Sequence, residues 1–195
     1  MNFMINLINV LYPILSITIV AILLLAMISI VYVSWRNGIS PMPASAQARH
    51  VVANEVDRIS STGTLVDAGS GFGTLAVHLA QHCPGWKIIG IENSLIPLWL
   101  SRFYWRLMAA MKGASLNSIT FCNENLYTYS YAEADIIVCY LYPGAMDQLG
   151  RMVCNRLTTG STRIISICFA LPGWEPARVI TCKDLYRTKV YVYDI

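Results

Sequence analysis

The chain has 195 residues, enough for one α/β domain and an appendage but too few for a second substrate domain of ordinary size. Its formal charge of +3 gives no argument for a nucleic-acid partner and supports at most a weak attraction to an acidic membrane surface. Charged residues make up only 13% against 55% hydrophobic, and the imbalance concentrates at one end, where no Lys, Arg, Asp or Glu occurs between Met1 and Trp35.

From Ile14 to Val33 the side chains are nearly all apolar. About 20 helical residues at roughly 1.5 Å each cover a hydrocarbon core of about 30 Å, so the run predicts a transmembrane helix. The competing reading is a cleaved secretory signal, with Ala44-Ser45-Ala46 as a small-x-small site. The run is too long for a signal h-region, has no basic residue before it, and ends well short of those small residues. Asn6, Asn9 and Pro13 read as an interfacial lead-in. Arg36 and Arg49 follow the span and no Lys or Arg precedes it, which places the globular part on the cytoplasmic side, or the matrix side in an organelle. Small residues are sparse along the span, so no dimer motif is visible and the oligomeric state stays open.

Gly38 to Pro43 reads as a turn closing off the anchor. Ser45 can cap a helix running to about Ile59, with Val51, Val52, Val56 and Ile59 at helical spacing, and Ser60 to Gly63 ends it. Strands are predicted at Thr64 to Ala68, Lys87 to Glu92, Ser118 to Cys122, Asp135 to Leu141 and Arg163 to Phe169. Helices are predicted at Thr74 to Cys83, Ile96 to Lys112 and Ala145 to Leu157. This alternation is the pattern of a parallel sheet covered on both faces. Ala177 to Cys182 and Lys189 to Tyr193 then form a closing antiparallel pair. The expected division is an anchor over 1–37, a linker and leading helix over 38–63, and an α/β domain over 64–195.

The six cysteines, Cys83, Cys122, Cys139, Cys154, Cys168 and Cys182, are isolated. Four of them, Cys122, Cys139, Cys168 and Cys182, fall in candidate strands, where a free cysteine packs as a small hydrophobe. With no CxxC pair and no His at ligand spacing, neither a disulfide framework nor a metal site is expected. His50, His78 and His82 fall on helices without evident partners.

The most informative stretch is Leu65-Val66-Asp67-Ala68-Gly69-Ser70-Gly71-Phe72-Gly73-Thr74, a short apolar run breaking into alternating glycines that open a helix. Missing Cβ atoms at such a βα turn let backbone and ligand approach closely. Gly71-x-Gly73-x-x-Ala76 fits the dinucleotide fingerprint, with Glu92 as ribose acceptor. Asp67-x-Gly69-x-Gly71-x-Gly73 equally fits the first motif of class I S-adenosylmethionine methyltransferases, so the motif alone leaves hydride and methyl transfer both open. Five parallel strands followed by an antiparallel pair is how the Rossmann-like, seven-stranded methyltransferase sheet finishes. A dehydrogenase would need further chain for its substrate.

The sequence resembles the small membrane-anchored methyltransferases whose eukaryotic members are mitochondrial protein-lysine N-methyltransferases, together with their bacterial relatives. The resemblance runs from Pro43-Ala44-Ser45 to Tyr193-Asp194. It takes in the Asp67 to Gly73 motif, Gly90-Ile91-Glu92-Asn93, and Trp99, Ser101, Arg102 and Trp105. Asn125-Leu126-Tyr127, Phe169-Ala170-Leu171-Pro172-Gly173-Trp174-Glu175-Pro176 and Val190-Tyr191-Val192-Tyr193 complete it. The Trp99 to Trp105 helix and the Pro172 to Pro176 segment are its most distinctive parts. Phe72 and Thr74 stand where the family often has Asp and Arg, and Asn125 stands where an Asp commonly contacts the adenine amino group.

The resemblance implies S-adenosylmethionine held by Asp67, Gly69, Gly71, Gly73, Glu92, Asn93 and Asn125, with Glu124 as the alternative one register away. It implies in-line displacement of the methyl group by a substrate amine; Tyr140 and Tyr142, at the carboxyl end of the fourth strand where open α/β sheets bind ligands, are candidates to line the channel with Trp174. The expected partners are the bilayer and a membrane-protein substrate. The aromatic helix Trp99, Phe103, Tyr104 and Trp105 reads as core and membrane-facing packing, with Arg102 and Arg106 on a solvated or headgroup-facing side. Two other functions share these features, a methyltransferase for a lipid-soluble small molecule and a non-catalytic nucleotide-binding membrane module.

Overall fold

The structure is a computed structural model. It describes residues 2–37, 43–112, 118–156 and 162–195, with side chains over 11–32, 43–111, 118–152 and 162–195. The predicted turn after the anchor lies outside the described residues over 38–42, as do the side chains of Arg36 and Cys154.

Helix α1 (Asn2–Asn37) passes unbroken through Pro13, so the expected lead-in is itself helical. Its stretch Leu11–Tyr32 is long and apolar enough to cross a membrane, and none of it is buried against the rest of the chain. Helix α2 (Ala46–Ile59) starts at Ser45, whose Oγ accepts from the Ala48 amide at 3.1 Å and donates to Asp184 at 2.7 Å. Hydrogen bonds from the Thr188 side chain and amide, and from Ser45, hold the Asp184 carboxyl below the usual range.

The remaining elements are β1 (Gly63–Ala68), α3 (Thr74–His82), β2 (Trp86–Ile91), α4 (Leu95–Lys112), β3 (Ile119–Cys122), β4 (Ile136–Cys139), α5 (Pro143–Arg156), β5 (Arg163–Ile167), β6 (Arg178–Thr181) and β7 (Lys189–Asp194). They build one seven-stranded sheet of order β3-β2-β1-β4-β5-β7-β6. The first five strands are parallel, and β7 runs antiparallel to both neighbours. The order reverses between β1 and β4, the place where open α/β sheets bind ligands.

Alternation along the strands splits the core into two faces. Leu65, Ile88, Ile136, Val138, Ile165 and Val190 face α2, α3 and α4 together with Val52, Leu79 and Trp105. Val66, Ala68, Ile137, Cys139 and Ile164 face α5 and the loops, with Met146, Leu149, Leu171 and Tyr193. Among the described residues three helices cover the first face and α5 alone covers the second. Helix α2 belongs to this core through Ala48, Val52, Ala53 and Val56.

Cys168 and Cys182 do not sit within strands as expected; each follows a strand end, and Cys168 has φ +74°. The Cys168 amide donates to Lys189 O, joining the end of β5 to β7, and the Cys182 amide donates to Thr188 O across the closing pair.

Candidate active site

The loop after β1 turns sharply because three of its residues take left-handed conformations: Gly69 (φ +80°), Gly71 (φ +52°) and Gly73 (φ +73°). Only glycine adopts these without strain. The Gly69 and Ser70 amides both donate to Ile91 O, at 3.0 and 2.8 Å, so the turn is pinned to the end of β2. A Cβ at Gly73 would lie 2.7 Å from Phe121 and 2.8 Å from Ser101, whereas a Cβ at Gly71 would meet nothing within 4 Å. Gly73 is thus required by packing from behind, and Gly71 borders open space in front.

Glu92, only 3% exposed, joins this loop to the chain after β2. Its Oε2 accepts from the Gly71 amide at 3.0 Å and its Oε1 from the Ser94 amide at 2.8 Å. Each carboxylate oxygen keeps a second lone pair, leaving acceptor capacity for ligand hydroxyls. Asn93 follows directly and its Oδ1 accepts from the Ser94 hydroxyl at 3.4 Å.

Asp67, at the bottom of the turn, is also buried. Burial pushes its carboxyl up to about 7, the charge of Glu92 adds to the rise, and a hydrogen bond from the Ala76 backbone opposes it. Asp67 Oδ2 and Ser70 Oγ are both buried without a hydrogen-bond partner. Buried polar atoms left unpaired beside a glycine turn mark a place where a ligand supplies the missing bonds.

These features fit S-adenosylmethionine. Asp67 would hold its cationic amino end, Glu92 its hydroxyls, and the space beside Gly71 admits it against the backbone. Sequence reasoning overlooked Ser70, Ser94 and Phe121. Phe121 is the residue against which both Gly73 and Gly90 close, and a lone aromatic in a strand carries no signal of that role.

The other expected site residues are more scattered. Asn125 caps its own loop, with Oδ1 accepting from the Tyr127 amide at 2.9 Å and its carbonyl accepting from the Thr128 and Tyr129 amides at 3.0 Å. Glu124 borders a cleft of about 280 Å³ against Thr64, Val66 and Ile89, on the α5 side of the sheet. Tyr142 is exposed and packs against Gly144 at the start of α5. Tyr140 packs on the face of α2 and α3, and Trp174 on the opposite one. Burial, then the neighbouring Cys168 and Asp184, raise the Tyr140 phenol above its ordinary range. The Trp174 loop is anchored from below: the Leu171 amide donates to the buried Tyr193 hydroxyl at 2.8 Å, and the Ser166 hydroxyl donates to Phe169 O at 2.6 Å.

Two readings of side chains are refined by the structure. Arg102 is exposed, as expected of a solvated side, and its guanidinium also donates to Phe121 O at 2.7 and 3.3 Å, tying α4 to β3. The three histidines, read as unpartnered, lie together between α2 and α3.

A family model described as the ANTKMT methyltransferase domain matches residues 67–178. A protein-lysine N-methyltransferase of Saccharolobus islandicus (strain REY15A) is 24% identical over 146 residues, spanning 72% of this chain and 84% of the relative. An RNA methyltransferase from Salinibacter ruber, solved in complex with S-adenosyl-L-homocysteine, superposes with a TM-score of 0.66 at 23% identity, covering 79% of this chain and 94% of its own. A precorrin-6y C5,15-methyltransferase from Geobacter metallireducens superposes with a TM-score of 0.54 at 12% identity, covering 77% of this chain and 91% of its own. At such identities the two superpositions speak for the fold: the seven-stranded, Rossmann-like methyltransferase sheet.

Proposed function

The chain belongs to the ANTKMT methyltransferase domain family and is an S-adenosylmethionine-dependent methyltransferase, and from that premise we propose that it N-methylates a lysine of a membrane protein. The lysine acceptor is carried by one observation, the protein-lysine N-methyltransferase relative that aligns over most of both chains.

Two features support work at a membrane. The first is the apolar stretch of α1, with Arg49 beyond it favouring the cytoplasmic or matrix side. The second is α4, where Leu95, Trp99, Phe103, Leu107 and Met111 recur every fourth residue and so share one face. Trp99 is 71% exposed, Phe103 67% and Met111 70%, although α4 already buries Leu98, Trp105 and Ala109 on its other side. An uncovered apolar stripe of this size suits the headgroup and acyl boundary, and α1 touches α4. Tethering would also raise the local concentration of enzyme near a bilayer substrate.

The cofactor supplies a methyl group on a sulfonium, already a good leaving group, so the protein's task is orientation and exclusion of water. Asp67 and Glu92 fix the reactant from below. The incoming lysine reacts as a neutral amine, and an apolar approach past Tyr142, flanked by Tyr140 from one face of the sheet and Trp174 from the other, would favour that form by desolvation. With its raised phenol, Tyr140 serves there as a neutral hydrogen-bonding group and not as a base.

The test is to incubate native membranes with radiolabelled S-adenosylmethionine and the full-length enzyme, then separate protein from lipid. Label in membrane protein is expected. Label confined to the lipid extract would overturn the lysine reading in favour of a lipid-soluble acceptor.

A further inference from the structure

We propose that His50, His78 and His82 form a binding site for one divalent zinc-class ion, which clips α2 to α3. These are all the histidines of the chain, and the fold brings them to one spot. His78 and His82 are four residues apart on α3 and share a face, while His50 comes from the first turns of α2. The His78 and His82 rings stack with centroids 4.0 Å apart, and His50 meets both edge-on at 4.6 and 5.2 Å.

One nitrogen of each ring lies within 4.8 Å of the other two. Tetrahedral zinc, with Zn–N near 2.1 Å, sets its nitrogens about 3.4 Å apart, so closure takes about 1.4 Å at most. Rotation of His50, which is exposed, can supply that.

The tautomer at His82 is already set for ligation. Its Nδ1 lies 2.8 Å from His78 O. A carbonyl only accepts, so Nδ1 carries the proton and the lone pair stays on Nε2. A ring N–H held by a backbone carbonyl is the usual outer-shell support of a metal-binding histidine. Three imidazoles select zinc, copper, nickel or cobalt over magnesium and calcium, and the solvent-facing side leaves a fourth position for water.

The location gives the clip a consequence. Helix α3 begins at the glycine turn, and α2 is the first described helix after the α1 anchor. An ion bridging them would fasten the membrane-proximal helix to the element that shapes the cofactor loop. Because it binds the folded chain, it would stabilise that packing by mass action.

The experiment uses the full-length protein in detergent with any affinity tag removed. Zinc is titrated in competition with a chromophoric chelator, and cobalt is added separately to read its visible absorption. One ion per chain is expected, with the strong absorption bands of tetrahedral cobalt. His50→Gln and His82→Gln, at exposed positions, should each weaken zinc binding by about tenfold or more. At an ion concentration of about 100 times the wild-type Kd, the folded-to-unfolded ratio of the wild type should rise about 100-fold, and that of a variant with about tenfold weaker binding only about tenfold. Unaltered S-adenosylmethionine affinity of the ion-free variants verifies that they fold. Should a variant unfold, the wild-type cobalt spectrum decides. Absence of stoichiometric binding, or binding that both substitutions leave unchanged, would overturn the proposal.

Discussion

The Gly71 amide donates to Glu92 Oε2 at 3.0 Å, and through this bond the loop after β1 takes its shape from the end of β2. With Oε1 held by the Ser94 amide, both oxygens of one buried carboxylate organise backbone on either side of the ligand space. In Glu92→Gln the amide nitrogen turns a donor toward one of those N–H groups. A broken buried bond of this kind costs about 1–3 kcal/mol. S-adenosylmethionine affinity measured by calorimetry should fall about 100-fold or more if loop order and hydroxyl contacts are lost together. Unchanged affinity would remove Glu92 from the site.

Asp67 makes the free protein's stability depend on pH. Its carboxyl titrates at about 7 in the folded chain against 3.8 in the unfolded one, because burial and the Glu92 charge disfavour ionisation. Between those values the folded state holds a proton that the unfolded state has released, so this group lowers stability as pH rises from about 4 to about 7. Asp67→Asn removes the effect. In urea titrations the variant should be the more stable chain, by a margin that grows across that window to at most about 4 kcal/mol. The same variant should bind S-adenosylmethionine about tenfold or more weakly, since a cationic amino group loses its carboxylate partner. Wild-type affinity should tighten as pH rises through 7.

Gly71 and Gly73 separate ligand contact from packing. Gly73→Ala forces a methyl group to within 2.7 Å of Phe121 in a φ +73° conformation, so the thermal midpoint should drop, with a loss of about 1–3 kcal/mol. Gly71→Ala meets only open space at φ +52° and should cost about 1–2 kcal/mol. If the cofactor fills that open space, as the proposed site requires, this variant should lose more affinity per unit of stability lost than Gly73→Ala does.

Much of the fold is legible in the sequence because the parallel strands are short apolar runs with punctuated ends. The Asp67 to Gly73 motif identifies the turn because left-handed backbone leaves little choice but glycine. What stays hidden depends on contacts between distant segments. Arg102 reads as a surface cation, yet its partner is a carbonyl at the end of β3. The α4 pattern reads as core and membrane-facing packing together, and only the structure sorts the residues, burying Leu98, Trp105 and Ala109 and leaving Trp99, Phe103 and Met111 exposed. The histidines converge only once α2 packs on α3. Asn125 is an adenine contact by resemblance, while the structure shows it capping its own loop.

Tyr193 tests the support of the Trp174 loop. Its hydroxyl accepts from the Leu171 amide in a buried setting. Tyr193→Phe leaves that amide without an acceptor and should cost about 1–3 kcal/mol in chemical unfolding. If the loop borders the acceptor channel, KM for the protein substrate should rise while cofactor affinity holds. A change in cofactor affinity alone would place the loop elsewhere in the mechanism.

The most direct test of the whole account is mass spectrometry of membrane proteins after incubation with S-adenosylmethionine and either the wild-type enzyme or Glu92→Ala. Methyl groups on lysine side chains, present with the wild type and absent with the variant, are the predicted result. Methylation found on other residues or only on lipids, or equal methylation by both enzymes, would contradict it.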